Sequence, residues 1–273
     1  MQVRQLGGEG VELFLTHSSD HRLAACVGVK DNDGEVLRVN FGEDDQANVL
    51  IVGRSRTAAL GIFTAMLLDL ARQLVTTPGR RAIYTTPPFS VLDFSGTAES
   101  RTFTEAAMSL PLPVKLERAT DTAMTTLTDF QFELLRRRRQ PDSPRHAKFL
   151  FLCALQAAHN LRSRGSYALA ESKENAAKFG QILRDGARQS LFTVVWCNSF
   201  ENIALTLDDG VRPFRHIIVL HDVAALPEQL AEILPEPGRH AWVIDRSRAT
   251  ATPVIPYVVP SQSWCDMVIG AFE

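Results

Sequence analysis

The chain predicts an α/β fold, a mostly parallel sheet flanked by helices, and three observations carry that expectation. Apolar runs of strand length recur without polar alternation: ANVLIVG at 47–53, KFLFLCAL at 148–155, SLFTVVWC at 190–197 and FRHIIVLH at 214–221. Such runs belong to strands buried on both faces. Helix-like segments lie between them, and this alternation marks a parallel sheet with crossover helices. The composition agrees: 273 residues, 45% hydrophobic and 22% charged, with 16 Gly and 14 Pro, suit a folded domain and exclude collagenous, coiled-coil and disordered chains.

Taken in order, the first forty-one residues hold three strand-like runs, VELFL (11–15), RLAACVGV (22–29) and VLRVNF (36–41), separated by the turn-rich HSSDH and DNDGE. Residues 1–45 therefore read as a short N-terminal β-extension and 46–273 as the main domain. After the strand at 47–53, Leu60, Phe63, Leu67, Leu70 and Leu74 recur at spacings of 3, 4, 3 and 4, one face of an amphipathic helix. Asp69, alone among apolar residues there, is expected to face solvent. RAIYTT (81–86) reads as the next strand, and helices are expected at 121–139, 168–187 and 223–234. The tail AWVIDRSRATATPVIPYVV offers two more strands at the sheet edge. No internal repeat or low-complexity tract interrupts the pattern.

A net charge of -2 supplies no global basic field, so any nucleic-acid contact must come from a local patch. The densest candidate is Arg136, Arg137, Arg138 and Arg139, with Arg145 and Lys148 nearby. A cationic run at a helix C-terminus suits the negative end of the dipole, so a solvated surface is the leading reading and contact with a DNA backbone the other. The cysteines Cys26, Cys153, Cys197 and Cys265 lie far apart without a CxxC pair, which predicts buried free thiols and no metal site. His17 and His21 have a metal-ligand spacing only if helical, and HSSDH reads as a turn. No uninterrupted apolar stretch approaches the roughly twenty residues of a membrane span. The start MQVRQLGGEG lacks the apolar core of a signal peptide, so a cytoplasmic location is expected.

The segment 47–74 is where chemistry would be sought. A buried strand ending in Gly, a short polar loop and a helix form the usual phosphate-binding arrangement, because backbone N–H groups and the positive helix end attract an anion. A Walker A loop reads GxxxxGK[ST], its Lys reaching the phosphates and its hydroxyl holding Mg²⁺. Counting from Gly53 through Arg54, Ser55, Arg56 and Thr57, Ala58 replaces the second Gly, Ala59 the Lys and Leu60 the Ser/Thr. No lysine occurs between Lys30 and Lys115, so no shift of register restores the motif. Arg54 or Arg56 would be the substitute cation and Ser55 or Thr57 the substitute hydroxyl. The plainer expectation is that Ser55 or Thr57 caps the helix while the arginines are solvated.

In layout the chain resembles the FtsK/SpoIIIE motor family, a RecA-like branch that includes the type VII secretion ATPases. ANVLIVGRSRTAALGIFTAMLLDLA is similar to an eroded form of its phosphate-loop strand and helix. KFLFLCALQAA resembles its Walker B strand with Cys153 and Ala154 where Asp and Glu belong, and no acid lies between Asp142 and Glu171. ILRDGARQSLFTVVWCNSFENI resembles the Gly-Arg segment, at Gly186 and Arg188, and the sensor strand, with Cys197 and Asn198 in place of Thr-Gln. The resemblance implies a RecA-like P-loop NTPase fold and kinship with degenerate C-terminal domains of tandem motors, of which this chain would be a segment or relative. Mg²⁺-ATP hydrolysis needs a cation on the phosphates, an oxygen ligand for the metal and an acid to position water. None stands at its motif position. The implied role is a catalytically inactive structural or regulatory module of a DNA- or protein-translocating assembly, partnered by sibling motor domains or other subunits. It would have no catalytic residue, no metal and no cofactor; weak binding of ATP or another anion stays open. The alternatives are a DNA-dependent ATPase using Arg56 and a remote acid, and a nucleotide-sensing module without turnover.

Overall fold

The computed structural model describes residues 23–42, 46–76, 84, 86–118, 120–166, 168–223, 225–234 and 240–272. Along the chain run β1 (Leu23–Lys30), β2 (Val36–Phe41), β3 (Asn48–Val52), α1 (Arg56–Thr76), β4 (Phe89–Asp93), α2 (Glu99–Met108), β5 (Val114–Glu117) and α3 (Thr120–Arg139). There follow β6 (Lys148–Cys153), α4 (Ala170–Asp185), β7 (Leu191–Cys197), α5 (Phe200–Ala204), β8 (Phe214–Val219), α6 (Glu228–Ala231), β9 (Ala241–Asp245), β10 (Thr250–Pro256) and α7 (Gln262–Gly270).

The strands make one ten-stranded sheet in the order β2-β1-β10-β9-β8-β3-β7-β6-β4-β5. From β8 to β5 neighbouring strands are parallel, and from β2 to β8 they are antiparallel. The expected α/β class is thus the observed one. Alternate residues of the buried strands feed opposite cores: Val49, Ile51, Phe149, Phe151, Val194 and Trp196 face the side holding α1. Leu50, Val52, Leu150, Leu152 and Val195 face the side holding α3 and α4. This two-sided burial is what the uninterrupted apolar runs record.

The antiparallel half curls back over α1. His216 on β8 donates from Nε2 to the carbonyl of Asn40 on β2, four strands away in the sheet order. Phe41 packs edge-on against Phe149 and Phe192, each 5.3 Å away. Enclosed in this way, α1 is buried on nearly every side, because Ala58, Ile62, Ala65, Met66 and Ala71 fill the faces between the predicted leucines. It is long and apolar enough to cross a bilayer, and no uninterrupted apolar run in the sequence had suggested this, but here it is mostly buried within the fold. Gly61 lets the helix press against the chain after β10, since a Cβ there would lie 2.2 Å from the carbonyl oxygen of Tyr257.

Several expectations need correction. Asp69 does not face solvent: it is fully buried, its Oδ2 accepting from Cys26 N (3.1 Å), Cys26 Sγ (2.8 Å) and Arg38 Nε (3.3 Å). Its Oδ1 accepts from Arg72 Nη2 (3.0 Å) and Gln73 Nε2 (3.2 Å). The helix can bury this acid because cations from β2 and from its own next turn neutralise it. Of RAIYTT only Tyr84 and Thr86 are described, neither in a strand, and the strand following α1 is β4. VELFL, His17 and His21 lie outside the described residues. The helix expected at 223–234 shortens to α6, which begins just after Pro227. The four cysteines are free and buried as expected.

Two stability predictions follow from this packing. Asp69→Asn leaves Arg72, only 5% exposed, without its counter-charge. Removing one partner of a buried pair costs about 3–5 kcal/mol, which urea unfolding would report as a fall in midpoint. The second concerns pH. Burial pushes the His216 imidazole down to about 4 against the opposing pull of Asp245. The unfolded chain therefore takes up a proton from about pH 6.5 downward that the folded chain refuses until about 4, so stability is lost as pH falls through that window. Glu133, held at about 2 by hydrogen bonds from Arg136 and Arg137, adds a second loss at lower pH. So does Asp245, held at about 2 by Arg215 and Ser247 against its burial. Urea midpoints should decline in two stages on acidification, and His216→Asn should remove the first.

Candidate functional site

The parallel strands β8, β3, β7, β6 and β4 bring their carboxyl ends to one edge, where ligands of open α/β sheets bind. This edge gathers the Gly53 loop, Cys153–Ala154 and Asn198. It does not gather Gly186 and Arg188, which sit in the turn before β7, nor the run Arg136–Arg139, which ends α3. Both of those lie at the amino edge.

The Gly53 loop is fastened down onto the sheet. Gly53 N donates to Cys197 O (3.1 Å), and the buried Trp196 indole donates to Gly53 O (2.9 Å). Gly53 has φ +148°, a region that side chains rarely adopt, and a Cβ there would lie 2.5 Å from Leu220 Cβ and 2.6 Å from Asp222 Oδ1. Asp222, just past β8, is a neighbour that sequence reasoning missed. Its Oδ1 is buried without a hydrogen-bond partner, so it sets negative charge beside a loop that would have to hold an anion. Beyond Gly53, Arg54, Arg56 and Thr57 are exposed and Ser55 is half-buried. The arginines are solvated as expected, but the expected cap is not made: Ser55 Oγ lies 3.5 Å from Thr57 Oγ1 and neither hydroxyl accepts a backbone N–H.

At the three positions that follow, Ala58, Ala59 and Leu60 have no exposed surface. Cys153 and Ala154 at the end of β6 are buried too, and all five residues belong to one hydrophobic cluster. Burial drives the Cys153 thiol well above its ordinary range, with the charge of Asp93 as a lesser cause, so it is no thiolate. Ala154 adopts a left-handed conformation (φ 62°, ψ 58°) that turns the chain from β6 into a 3₁₀ turn. Asp93 stands in register with Cys153 on the neighbouring strand. Its Oδ1 accepts from the backbone N and hydroxyl of Ser95 and its Oδ2 from Ser100 Oγ at 2.7 Å. Glu99, at the start of α2, is exposed, and its carboxyl is lowered by its own backbone N–H, then by Thr97, and at longer range by Arg56.

Asn198 is occupied sideways. Its Oδ1 accepts from Asn202 Nδ2 (2.8 Å) and its backbone N donates to Gln156 Oε1 (3.1 Å). Arg162 closes the network by donating to Gln156 O (2.8 Å) and Asn202 Oδ1 (3.3 Å). Burial pushes the Cys197 thiol up to about 11. Among the described residues no group of His, Cys, Asp and Glu could hold a metal ion.

The arginine run corrects another expectation. Arg137 is not solvated but buried, donating to Glu133 (2.7 Å), to the carbonyl of His146 (2.8 Å) and to that of Gln189. Arg138 pairs with Asp185 at 2.7 Å and Arg136 with Glu133 at 2.8 Å. Arg139 is exposed without a described partner, so the run presents far fewer free cations than four consecutive arginines suggest.

This strand order, with a glycine loop leading from the central β3 into a buried helix, defines an α/β domain with a mostly parallel core sheet. Solved structures carry the same fold. The chain is similar to Thermomonospora curvata EccC, ATPases 2 and 3 in complex with a signal sequence peptide, at TM-score 0.61 and 10% identity, covering 90% of this chain and 42% of that one. It is similar to the pCW3 conjugation coupling protein TcpA, in a monomer form with ATPγS, at TM-score 0.60 and 10% identity, covering 94% and 72%. It is also similar to EssC, ATPases 2 and 3, from Geobacillus thermodenitrificans, at TM-score 0.57 and 11% identity, covering 94% and 50%. The chain thus spans less than half of the EccC chain. No family model matches it, and no curated protein does.

The loop geometry gives a paired prediction. Gly53→Ala should lower the melting temperature, since the new methyl must displace Leu220 and Asp222, and backbone strain of this kind costs about 1–3 kcal/mol. The double variant Arg54→Ala, Arg56→Ala alters only exposed side chains and should melt within about 0.5 kcal/mol of the parent.

Proposed function

We propose that this chain is a non-hydrolysing, RecA-like module of a protein- or DNA-translocating assembly, with a structural or regulatory role beside catalytic siblings. The observation that carries the reading is the shared packing of Ala58, Ala59, Leu60, Cys153 and Ala154 in one apolar cluster. These are the positions from which a motor of this fold would offer cation, hydroxyl and acid to Mg²⁺-ATP. Here they offer methyl, isobutyl and an un-ionised thiol. The fastened Gly53 loop and the adjacent Asp222 carboxylate weigh further against a phosphate cradle. Likeness in fold to domains of secretion and conjugation proteins supports the translocase setting.

One observation favours an active ATPase instead. Asp93 stands beside the vacated acid position, and Arg56 is free at the start of α1. Phosphate release measured with and without duplex DNA separates the two readings. The expected result is no Mg²⁺-dependent turnover above a protein-free control. Turnover abolished by Arg56→Ala or Asp93→Asn would establish the active reading in its place. In ring motors nucleotide lies between subunits and adds its binding energy to their association. Light scattering should accordingly find the same mass with and without ATP, and a discrete ring formed only with nucleotide would sink the proposal.

A further inference from the structure

At the amino edge, remote from the Gly53 loop, a cleft of about 550 Å³ opens along the outer face of α3. Asp129, Phe132, Glu133, Arg136, Arg139 and Gln140 line it at helical spacing, with Lys148 from the start of β6. Phe132 is 66% exposed, an unusual state for so large an apolar side chain on an otherwise charged helix face. The charges around it are unequal in availability. Asp129 is paired with Lys115 at 2.9 Å, and Glu133 is held by both Arg136 and Arg137. Arg139 has no carboxylate partner among the described residues, and Lys148 makes no direct ion pair there, although the charges of Glu133 and Asp129 act on it at longer range. Each acid of the cleft is tied into a direct ion pair within the chain, whereas the two cations beside the exposed ring are not.

We infer that this cleft docks a short acidic segment of a protein partner, one large apolar side chain seated on Phe132 and flanking carboxylates paired with Arg139 and Lys148. The inference stands apart from the translocase reading and would survive its failure. Lys148 is half-buried and its ammonium is lowered chiefly by that burial, so an arriving carboxylate would meet a cation already stripped of part of its water. A nucleic-acid backbone fits less well. Polyanion binding draws on many phosphate contacts, whereas this cleft offers two cations outside direct ion pairs, one ring and two acids in its wall.

Fluorescence anisotropy on the full chain tests this with a labelled hexapeptide, Glu-Glu-Leu-Phe-Glu-Glu. Its Gln-for-Glu counterpart and a labelled oligothymidylate serve as the other arms. The acidic peptide should bind and weaken with added salt, and the Gln peptide should bind at least about tenfold less tightly, the loss expected when a charge-assisted hydrogen bond is removed. Phe132→Ser, and separately the double variant Arg139→Gln, Lys148→Gln, should each reduce acidic-peptide affinity about tenfold or more. Thermal melts confirm that the variants remain folded, as expected where the altered side chains are exposed or half-buried. Equal binding of both peptides, no binding of the acidic one at about millimolar concentration, indifference to the variants, or tighter binding of the oligothymidylate with the same variant sensitivity would each overturn the inference.

Discussion

The fold depends on one buried carboxylate. Helix α1 is enclosed by sheet on one side and by the curled antiparallel strands on the other, and an apolar helix in such a place has little to fix its rotation or depth. Asp69 supplies that restriction. Its two oxygens take five donors drawn from β1, β2 and α1 itself, so it ties the helix to both strands at fixed points. Gln73 extends the lock, donating to Ala24 O (2.6 Å) and accepting from Ala24 N (3.2 Å). A buried charge is a poor source of net stability but a strong source of specificity when every alternative docking would strand it. The position of α1 in turn sets the Gly53 loop at its start, so the geometry of the carboxyl edge is inherited from a contact on the far turns of the helix.

The two edges of the parallel sheet have different chemical characters. At the carboxyl edge the polar groups bond to one another: Trp196 to Gly53, Asn198 to Asn202, Arg162 to Gln156, and Asp93 to its own serines. Groups so paired are held in place, and Asp222 Oδ1 is the buried exception beside Gly53. At the amino edge Arg136, Arg137 and Arg138 are paired with acids, while Arg139 is exposed and makes no ion pair among the described residues.

What the sequence disclosed follows from range. Strands buried on both faces are written locally, as apolar runs, and β3, β6, β7 and β8 were all legible. Strands β4 and β5, five and four residues long, are too short to stand out beside Pro87, Pro88, Pro111 and Pro113. Helix α7 did leave a signal, Ser261, whose hydroxyl accepts from Trp264 N at 3.3 Å, but no apolar period long enough followed it. Asp69 was misread because its charge partner Arg38 lies 31 residues away on another element. Arg137 was misread because four identical side chains look equivalent in a row, while a helix sends one of every four inward. The replaced residues of the phosphate loop and the β6 strand could be counted off a motif. That they pack against a common core, and that Asp222 sits beside Gly53, required the fold.

That common core also bears on how such a domain changes over generations. A lysine at position 59 alone would push an ammonium among side chains with no exposed surface, and an aspartate at 153 alone would do the same with a carboxylate. Each step toward phosphate chemistry is therefore harmful unless the other is already present and the neighbours have withdrawn. The carboxyl edge is thus a place where one substitution at a time is opposed by packing, whatever chemistry it would bring.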